Sequence, residues 1–482
     1  MSLVADLAHL VECAQQHMVN FPCGNGLVCL PTSRLPKKEN GKCRLSHCIG
    51  VCDPITIIYT MNRRRFVTSS LAAASLLPRR GWCADVNTAA EQAHTEIWRR
   101  FIDKHGIMID FADLDGTVSL PTPEECKQGK PNALGWWSPI ENGAMFNGIY
   151  MDAAVNRWKH TKSDNDAAKA RKLMEGLLLL NSISEVKGFV GRGVSTDGKS
   201  HYAMGSNDQT LPWFLGLWRY LDSGLATQEE RNRITQHLVE TAEAIIAMKW
   251  SMPAEQPFGR RGGFAGFSFE SAPRLLFVCK ALHQITGDSK WETMYRAALT
   301  ERGGKENRSR LEICERGMVF EYAKYHSWTA CTCVGAIRAL WEMEKDEKVS
   351  AAYAKGLQAS ADLAMRSLPM AEQFDNADTS HFEMNWRVMN DDWKPQQTEK
   401  DAEDLAHTQL KNYRKVSPRR SLETEFVRES TAAAWVVTLA PDAAILNSRR
   451  AAVEKVIAHY DYSKLYYSQF FWVDAAWLRL QQ

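Results

Sequence analysis

The chain has 482 residues, 24% charged and 45% hydrophobic, and its 59 Lys+Arg against 57 Asp+Glu leave a net charge of +2. This composition excludes a disordered chain, a coiled coil and a mini-protein, and the length suffices for one large or two ordinary domains. Near-neutral charge without basic blocks also argues against a nucleic-acid partner, because neutralising a phosphate backbone needs clustered Lys and Arg.

Taken in chain order, residues 1–60 hold Cys13, Cys23, Cys29, Cys43, Cys48 and Cys52 without sustained periodicity. They read as a mis-assigned, disordered N-terminal extension, with Met61 the true first residue. A small Cys-rich metal module is the alternative, weakened by the lack of any CxxC pair. Residues 61–84 then carry a basic head (Arg63, Arg64, Arg65), Phe66, a short apolar run from Val67 to Leu77 and a small-residue end at Cys83-Ala84. That order predicts a signal peptide, with an apolar run too short to span a bilayer. The arginines followed by a hydrophobic residue resemble a twin-arginine export signal, which implies a bacterial periplasmic or extracellular protein.

The expected mature chain, residues 85–482, has 49 Lys+Arg against 53 Asp+Glu, a net charge of −4. No membrane span is expected in it. Its cysteines are Cys126, Cys279, Cys314, Cys331 and Cys333, and for cargo folded in the cytoplasm the expectation is mostly free, buried thiols.

Apolar residues recur at three and four over Ala167–Ile183, Arg231–Met248, Ser271–Ile285, Val349–Leu368 and Ala451–Tyr460, so the fold is expected to be all-α. A weak repeat organises these helices: an apolar, aromatic-rich helix, a short turn with an acidic or Thr cap, then an amphipathic helix. Asp164, Thr227, Asp288, Asp346 and Asp442 are suitable N-cap types. The turns recur about every 60 residues, the length of one helical hairpin plus a loop, and a longer last interval predicts an insertion within 370–427. The mature chain thus accommodates six or seven hairpins in a single domain. Solenoid repeats run shorter, so a closed double ring is favoured over an open array.

That period, the turn Thr286-Gly-Asp-Ser-Lys-Trp291, the segment Gly188–Gly198, Ser206-Asn-Asp-Gln209 and Gly216-Leu-Trp-Arg-Tyr220 together resemble the six-hairpin carbohydrate-active enzymes, a superfamily of glycoside hydrolases and polysaccharide lyases. The resemblance covers roughly residues 90–482 and is architectural. It implies an (α/α)6-type closed toroid with a saccharide site at the mouth of the ring.

Four loops leading into apolar helices draw attention, because helix N-termini offer free amides and a ring mouth gathers loops. Trp136-Trp137 can stack on sugar faces, with Glu141 beside them; core packing is the competing reading. The stretch 188–209 is long for an interhelical connection and holds Arg192, His201, Tyr202, Asn207 and Asp208, followed by Trp213. Asp208, placed just before a helix from Leu211 to Leu221 with Pro212 in its first turn, is either a cap or a general acid or base. The Gly- and Phe-rich loop 256–270 suits a substrate cover and ends at Glu270, a second carboxylate candidate. Arg316, Tyr322, Tyr325 and His326 form a Tyr/His/Arg set ahead of Trp328.

No HExxH, GxSxG or paired CxxC occurs in the mature chain, and neither a cofactor nor a metal is expected. The leading expectation is an exported enzyme that cleaves a glycosidic bond in an acidic poly- or oligosaccharide. Hydrolysis would use Asp208 with Glu141 or Glu270. Elimination would use Tyr322 or Tyr202 with His326 or His201, assisted by Arg192, Arg316 and Asn207. A non-catalytic glycan-binding helical-repeat protein is the alternative from another class.

Overall fold

The computed structural model describes residues 85–320 and 325–482. The extension and signal read at 1–60 and 61–84 lie outside the described residues, as does Tyr322. At 62% helix and 4% strand, the fold is all-α in class.

Two kinds of helix alternate. The first kind is amphipathic: α1 (Val86–Glu96), and further along the chain its counterparts that begin at Asp164, Gln228, Ser289, Glu347 and Ala443. The second kind is buried nearly all round. A short helix, α2 (Pro123–Gln128), precedes its first member, α3 (Gly143–Thr161). The two kinds then alternate along the chain as α4 (Asp164–Ser182), α5 (Asn207–Asp222), α6 (Gln228–Ala247), α7 (Ala272–Thr286) and α8 (Ser289–Thr300), the odd-numbered of these being the buried ones. After the short α9 (Arg310–Arg316) come α10 (Ala330–Met343) and α11 (Glu347–Ala364). Helices α12 (Glu399–Val416) and α13 (Pro418–Leu422) belong to the segment that interrupts the alternation, and α14 (Glu429–Thr438), α15 (Ala443–Ile457) and α16 (Trp472–Leu480) resume it.

The amphipathic helices start where the local sequence supplies a cap. Thr227 forms a reciprocal capping box with Glu230, and Asp288, Asp346 and Asp442 accept amide hydrogen bonds at the starts of α8, α11 and α15. For α4 the cap is Ser163, which accepts from the Asn165 amide, and Asp164 is already the first helical residue. Both residues are cap types, and the three-and-four periodicity does not decide between them.

The buried helices α3, α5, α7, α10, α14 and α16 carry the core. Each touches the next in that order, and α16 touches α3. Glycine lets α3 and α5 pack backbone to backbone: a Cβ at Gly148 would collide with the Pro212 carbonyl, and one at Gly216 would meet Gly148 Cα at 2.7 Å. Helix α5 begins at Asn207, earlier than its apolar run predicts. Asp208 is therefore its second residue, and Pro212 lies inside the helix, where it leaves the Asp208 carbonyl without its intrahelical donor.

Strand is confined, among the described residues, to two small antiparallel pairs: β1 (Ser251–Pro253) with β2 (Arg260–Gly263), and β3 (Arg302–Gly303) with β4 (Arg308–Ser309). Between α11 and α14 the chain makes two 3-10 turns, Leu368–Gln373 and Trp386–Asp392, then α12 and α13, then a π-helical turn, Glu423–Arg428, that runs into α14. Phe382, Trp386, Ala406 and Tyr413 of this segment form a second apolar cluster with Phe111, Leu134, Trp137 and Tyr467. The segment is thus anchored on the loop ahead of α3. All five cysteines among the described residues are free and buried, and no helix among those residues is long and apolar enough to cross a membrane.

Candidate functional site

The buried helices receive the chain from the long stretches 102–142, 183–206, 248–271, 301–329, 365–428 and 458–471, whereas the turns at their other ends are short. The side chains that close their first turns therefore come from distant parts of the sequence. Helix N-termini carry partial positive charge and free amides, which favours carboxylates and anionic ligands there.

Asp208 of α5 is the centre of one group. Its side chain is 36% exposed, and Oδ1 accepts a 2.6 Å hydrogen bond from Nη2 of Arg274, a fully buried residue in the first turn of α7. Arg274 Nε donates to Cys333 Sγ of α10 at 3.4 Å, and Nη1 has no hydrogen-bond partner among the described residues. Burial, more than any neighbour, pushes the Cys333 thiol up, so it stays protonated and points at the Glu270 carbonyl, 3.6 Å away. Asp208, Arg274, Cys333 and Glu270 thus join the starts of three buried helices that touch one another. Glu270, two residues before α7, is half-buried.

A second group lies beside it. Glu429, the first residue of α14, accepts the Ser327 amide at 2.8 Å and pairs with Arg428 at 2.7 Å. His326 Nε2 lies 3.8 Å from Glu429 Oε1 and 3.5 Å from Arg428 Nη2. Burial lowers the His326 imidazole below its ordinary value, with the Glu429 carboxylate opposing and Arg428 reinforcing the shift, and Glu270 is a further electrostatic neighbour. His326 is therefore a neutral imidazole at neutral pH.

The remaining residues singled out from sequence take other places. Glu141 is 8% exposed and its Oε2 accepts the Trp137 amide at 2.7 Å, so it closes a turn and offers no accessible carboxylate. Trp137 packs in the second apolar cluster and donates its indole N–H to the Ala406 carbonyl. Trp136 is half-buried, with the Arg261 guanidinium 5.4 Å from its ring. Arg261 in turn holds Glu399 and Glu403 of α12 at 2.9 and 3.0 Å, tying the loop that ends at Glu270 to the interrupting segment.

Arg192 is buried and spends its donors on the carbonyls of Glu141, Met204 and Gly205 and on Ser206 Oγ. Burial, then repulsion from Arg261, pulls its guanidinium down to about 10. Arg192 therefore staples two loops together and is not open to an acidic sugar. Tyr202 is buried with its hydroxyl on the Lys130 carbonyl, and Trp213 is a core residue bonded to the Leu177 carbonyl. His201 sits against Glu255, Nε2 to Oε1 at 3.1 Å. Asn207 opens α5 and is half-buried, its Oδ1 against the backbone of Gly262. Arg316 is on the surface, paired with Glu306.

Arg274, Cys333, Arg428 and Glu429 were missed by sequence reasoning. The one signal for Arg274 is a charge in the first turn of an otherwise apolar helix. No group of three or more His, Cys, Asp or Glu able to hold a metal occurs among the described residues. Comparisons with protein families, with curated proteins and with solved structures give no match.

Proposed function

We propose that this chain is an exported enzyme that cleaves a glycosidic bond in an acidic glycan, built as a closed (α/α)6 toroid with its site at the N-terminal mouth of the inner helices. The cyclic order of contacts from α3 through α16 and back supports the ring. One observation carries the chemistry: Asp208, a partly exposed carboxylate, is ion-paired by the wholly buried Arg274 next to the half-buried Glu270. Two carboxylates at one mouth are what glycoside hydrolysis requires, one to protonate the leaving oxygen and one to activate water or attack carbon. In this reading Asp208 and Glu270 fill those roles. Arg274 orients Asp208, and Arg428 supplies positive charge toward a substrate carboxylate.

Elimination is the second reading, favoured by one specific observation: His326, neutral and beside Arg428, is a competent base near a cation that can bind a uronate. Tyr322 would act with it; Tyr202 and His201 leave the scheme because their polar atoms are engaged elsewhere.

The test is to incubate the wild type, Asp208→Asn, Glu270→Gln and His326→Gln with a panel of uronic-acid polymers and neutral glycans. New reducing ends and the ultraviolet absorbance of an unsaturated product are followed together. Hydrolysis predicts reducing ends without absorbance and a loss of rate in both carboxylate variants. Absorbance abolished in His326→Gln alone would replace hydrolysis by elimination. Binding without turnover across the panel would overturn the enzymatic reading.

A further inference from the structure

A second cluster of titratable side chains lies away from the mouth residues, where α1 meets α3, α4 and α16. His94 of α1 is 7% exposed and Asp474 of α16 is 2% exposed. His94 Nδ1 is 2.7 Å from Asp474 Oδ2, and the same oxygen accepts a 2.7 Å hydrogen bond from the Tyr150 hydroxyl of α3. Nδ1 faces both this carboxylate, which only accepts, and the Arg157 Nε–H, which only donates; the shorter carboxylate contact, 2.7 Å against 3.2 Å, assigns the imidazole proton to Nδ1 and leaves Nε2 as an acceptor. Lys169 of α4 takes up that position, with Nζ 2.7 Å from Nε2. Its side chain remains 23% exposed, and the Trp98 ring lies 5.2 Å from Nζ.

The other charges that face this amine are few. Asp166 is 3.9 Å away on the same helix. Arg157 of α3 stands 3.2 Å from His94 Nδ1, and its guanidinium is held by Glu91 of α1. Burial pulls the Lys169 ammonium below its ordinary value; Asp166, Asp474 and Glu91 oppose the shift and Arg157 adds to it. Burial raises the Asp474 carboxyl, and His94, Arg157 and Tyr150 together more than offset this and hold it ionised. The order carboxylate, imidazole, amine is that of an activated nucleophile: a base within hydrogen-bond reach, itself oriented by a third group.

We propose that Lys169 is a nucleophilic amine, served by the Asp474–His94 pair, that captures small aldehydes as imines. The neutral amine forms the C–N bond while the carbonyl π pair moves to oxygen. His94 Nε2 takes the two protons released from nitrogen one after the other, the first as the carbinolamine forms and the second as it dehydrates, and returns each to that oxygen, which leaves as water when the C=N bond forms. No oxidant or reductant is consumed. This site is independent of the glycosidase reading and stands or falls separately from it.

The experiment treats the full chain with formaldehyde and cyanoborohydride between about pH 6 and pH 10 and follows each lysine by peptide mass spectrometry. Lys355 and Lys400, with side chains 71% and 78% exposed, serve as references. At about pH 6.5 Lys169 is expected to label roughly tenfold faster than either, an advantage that shrinks as the pH approaches the ordinary lysine value of about 10.4. His94→Gln removes the base and brings Lys169 to or below the reference rate while Lys355 is unchanged. Equal or slower labelling of Lys169 in the wild type, a pH profile parallel to the references, or an undiminished advantage in His94→Gln overturns the proposal. The wild-type competition needs no variant, so it decides the matter even if His94→Gln does not fold.

Discussion

The amphipathic and the buried helices begin in different ways. Every member of the first set, α1, α4, α6, α8, α11 and α15, is capped by the side chain of its own preceding residue: Asp85, Ser163, Thr227, Asp288, Asp346 and Asp442. No member of the second set has such a bond from the corresponding position, whether Asn142, Ser206, Ser271, Thr329, Arg428 or Phe471. Their first turns are served instead by residues from elsewhere in the chain. Gln209 Oε1 takes the Met145 amide at 3.1 Å, and Arg274 reaches across to Asp208. The amphipathic set is therefore stabilised locally, while the buried set depends on tertiary contacts at the end that carries the candidate site.

Substitutions that act on one set or the other can break or sharpen this contrast. The largest effect is expected for Trp213→Ala in α5: the side chain is fully buried, so the loss is about 4 kcal/mol in urea unfolding. Next comes the acid limb of the stability curve, to which Glu342 near the far end of α10 contributes. Burial alone would raise its carboxyl, but Arg219, Arg479 and Arg338 bring it down to about 2. A carboxylate depressed in the folded state adds stability above its unfolded value, about 4.3, and loses it as pH falls toward about 2. Glu342→Gln should therefore flatten the fall in stability between those pH values, a fall of up to about 3 kcal/mol. An unchanged acid limb would exclude this network as its cause.

Asp208→Asn should lower turnover on the competent glycan about a hundredfold or more, and should also lower the unfolding midpoint, because the buried Arg274 loses its carboxylate partner. A large stability loss with little change in turnover would make Asp208 a structural cap. The smallest effect is expected for Thr227→Ala, which removes one half of a capping box on α6 and costs about 1 kcal/mol. If its cost approached that of Trp213→Ala, the distinction between locally and tertiarily supported helices would fail.

Legibility in the sequence follows the same division. Thr227, Asp288, Asp346 and Asp442 are readable as caps because a cap and its acceptor amides lie two or three residues apart. Asp208 and Glu270 are readable as carboxylates leading into apolar helices, but nothing near them in sequence announces Arg274 or Cys333, whose partners are 66 and 59 residues away. The same distance hides the fates of Arg192, Tyr202 and Trp213. Each has the chemistry of a sugar-binding residue, and each is spent on backbone carbonyls. Pro212 misleads in the other direction: proline favours a first helical turn, yet packing of α5 against α3 extends the helix five residues ahead of it.

By itself the sequence determined the helical class, the alternation of amphipathic and apolar helices and the caps of the amphipathic set, because periodicity and capping act over three or four residues. Only the tertiary structure decided which polar side chains remain open at the starts of the buried helices and that His94, Asp474 and Lys169 meet. Those pairings join residues tens to hundreds of positions apart, and whether a donor is consumed or left free depends on packing that no local pattern encodes.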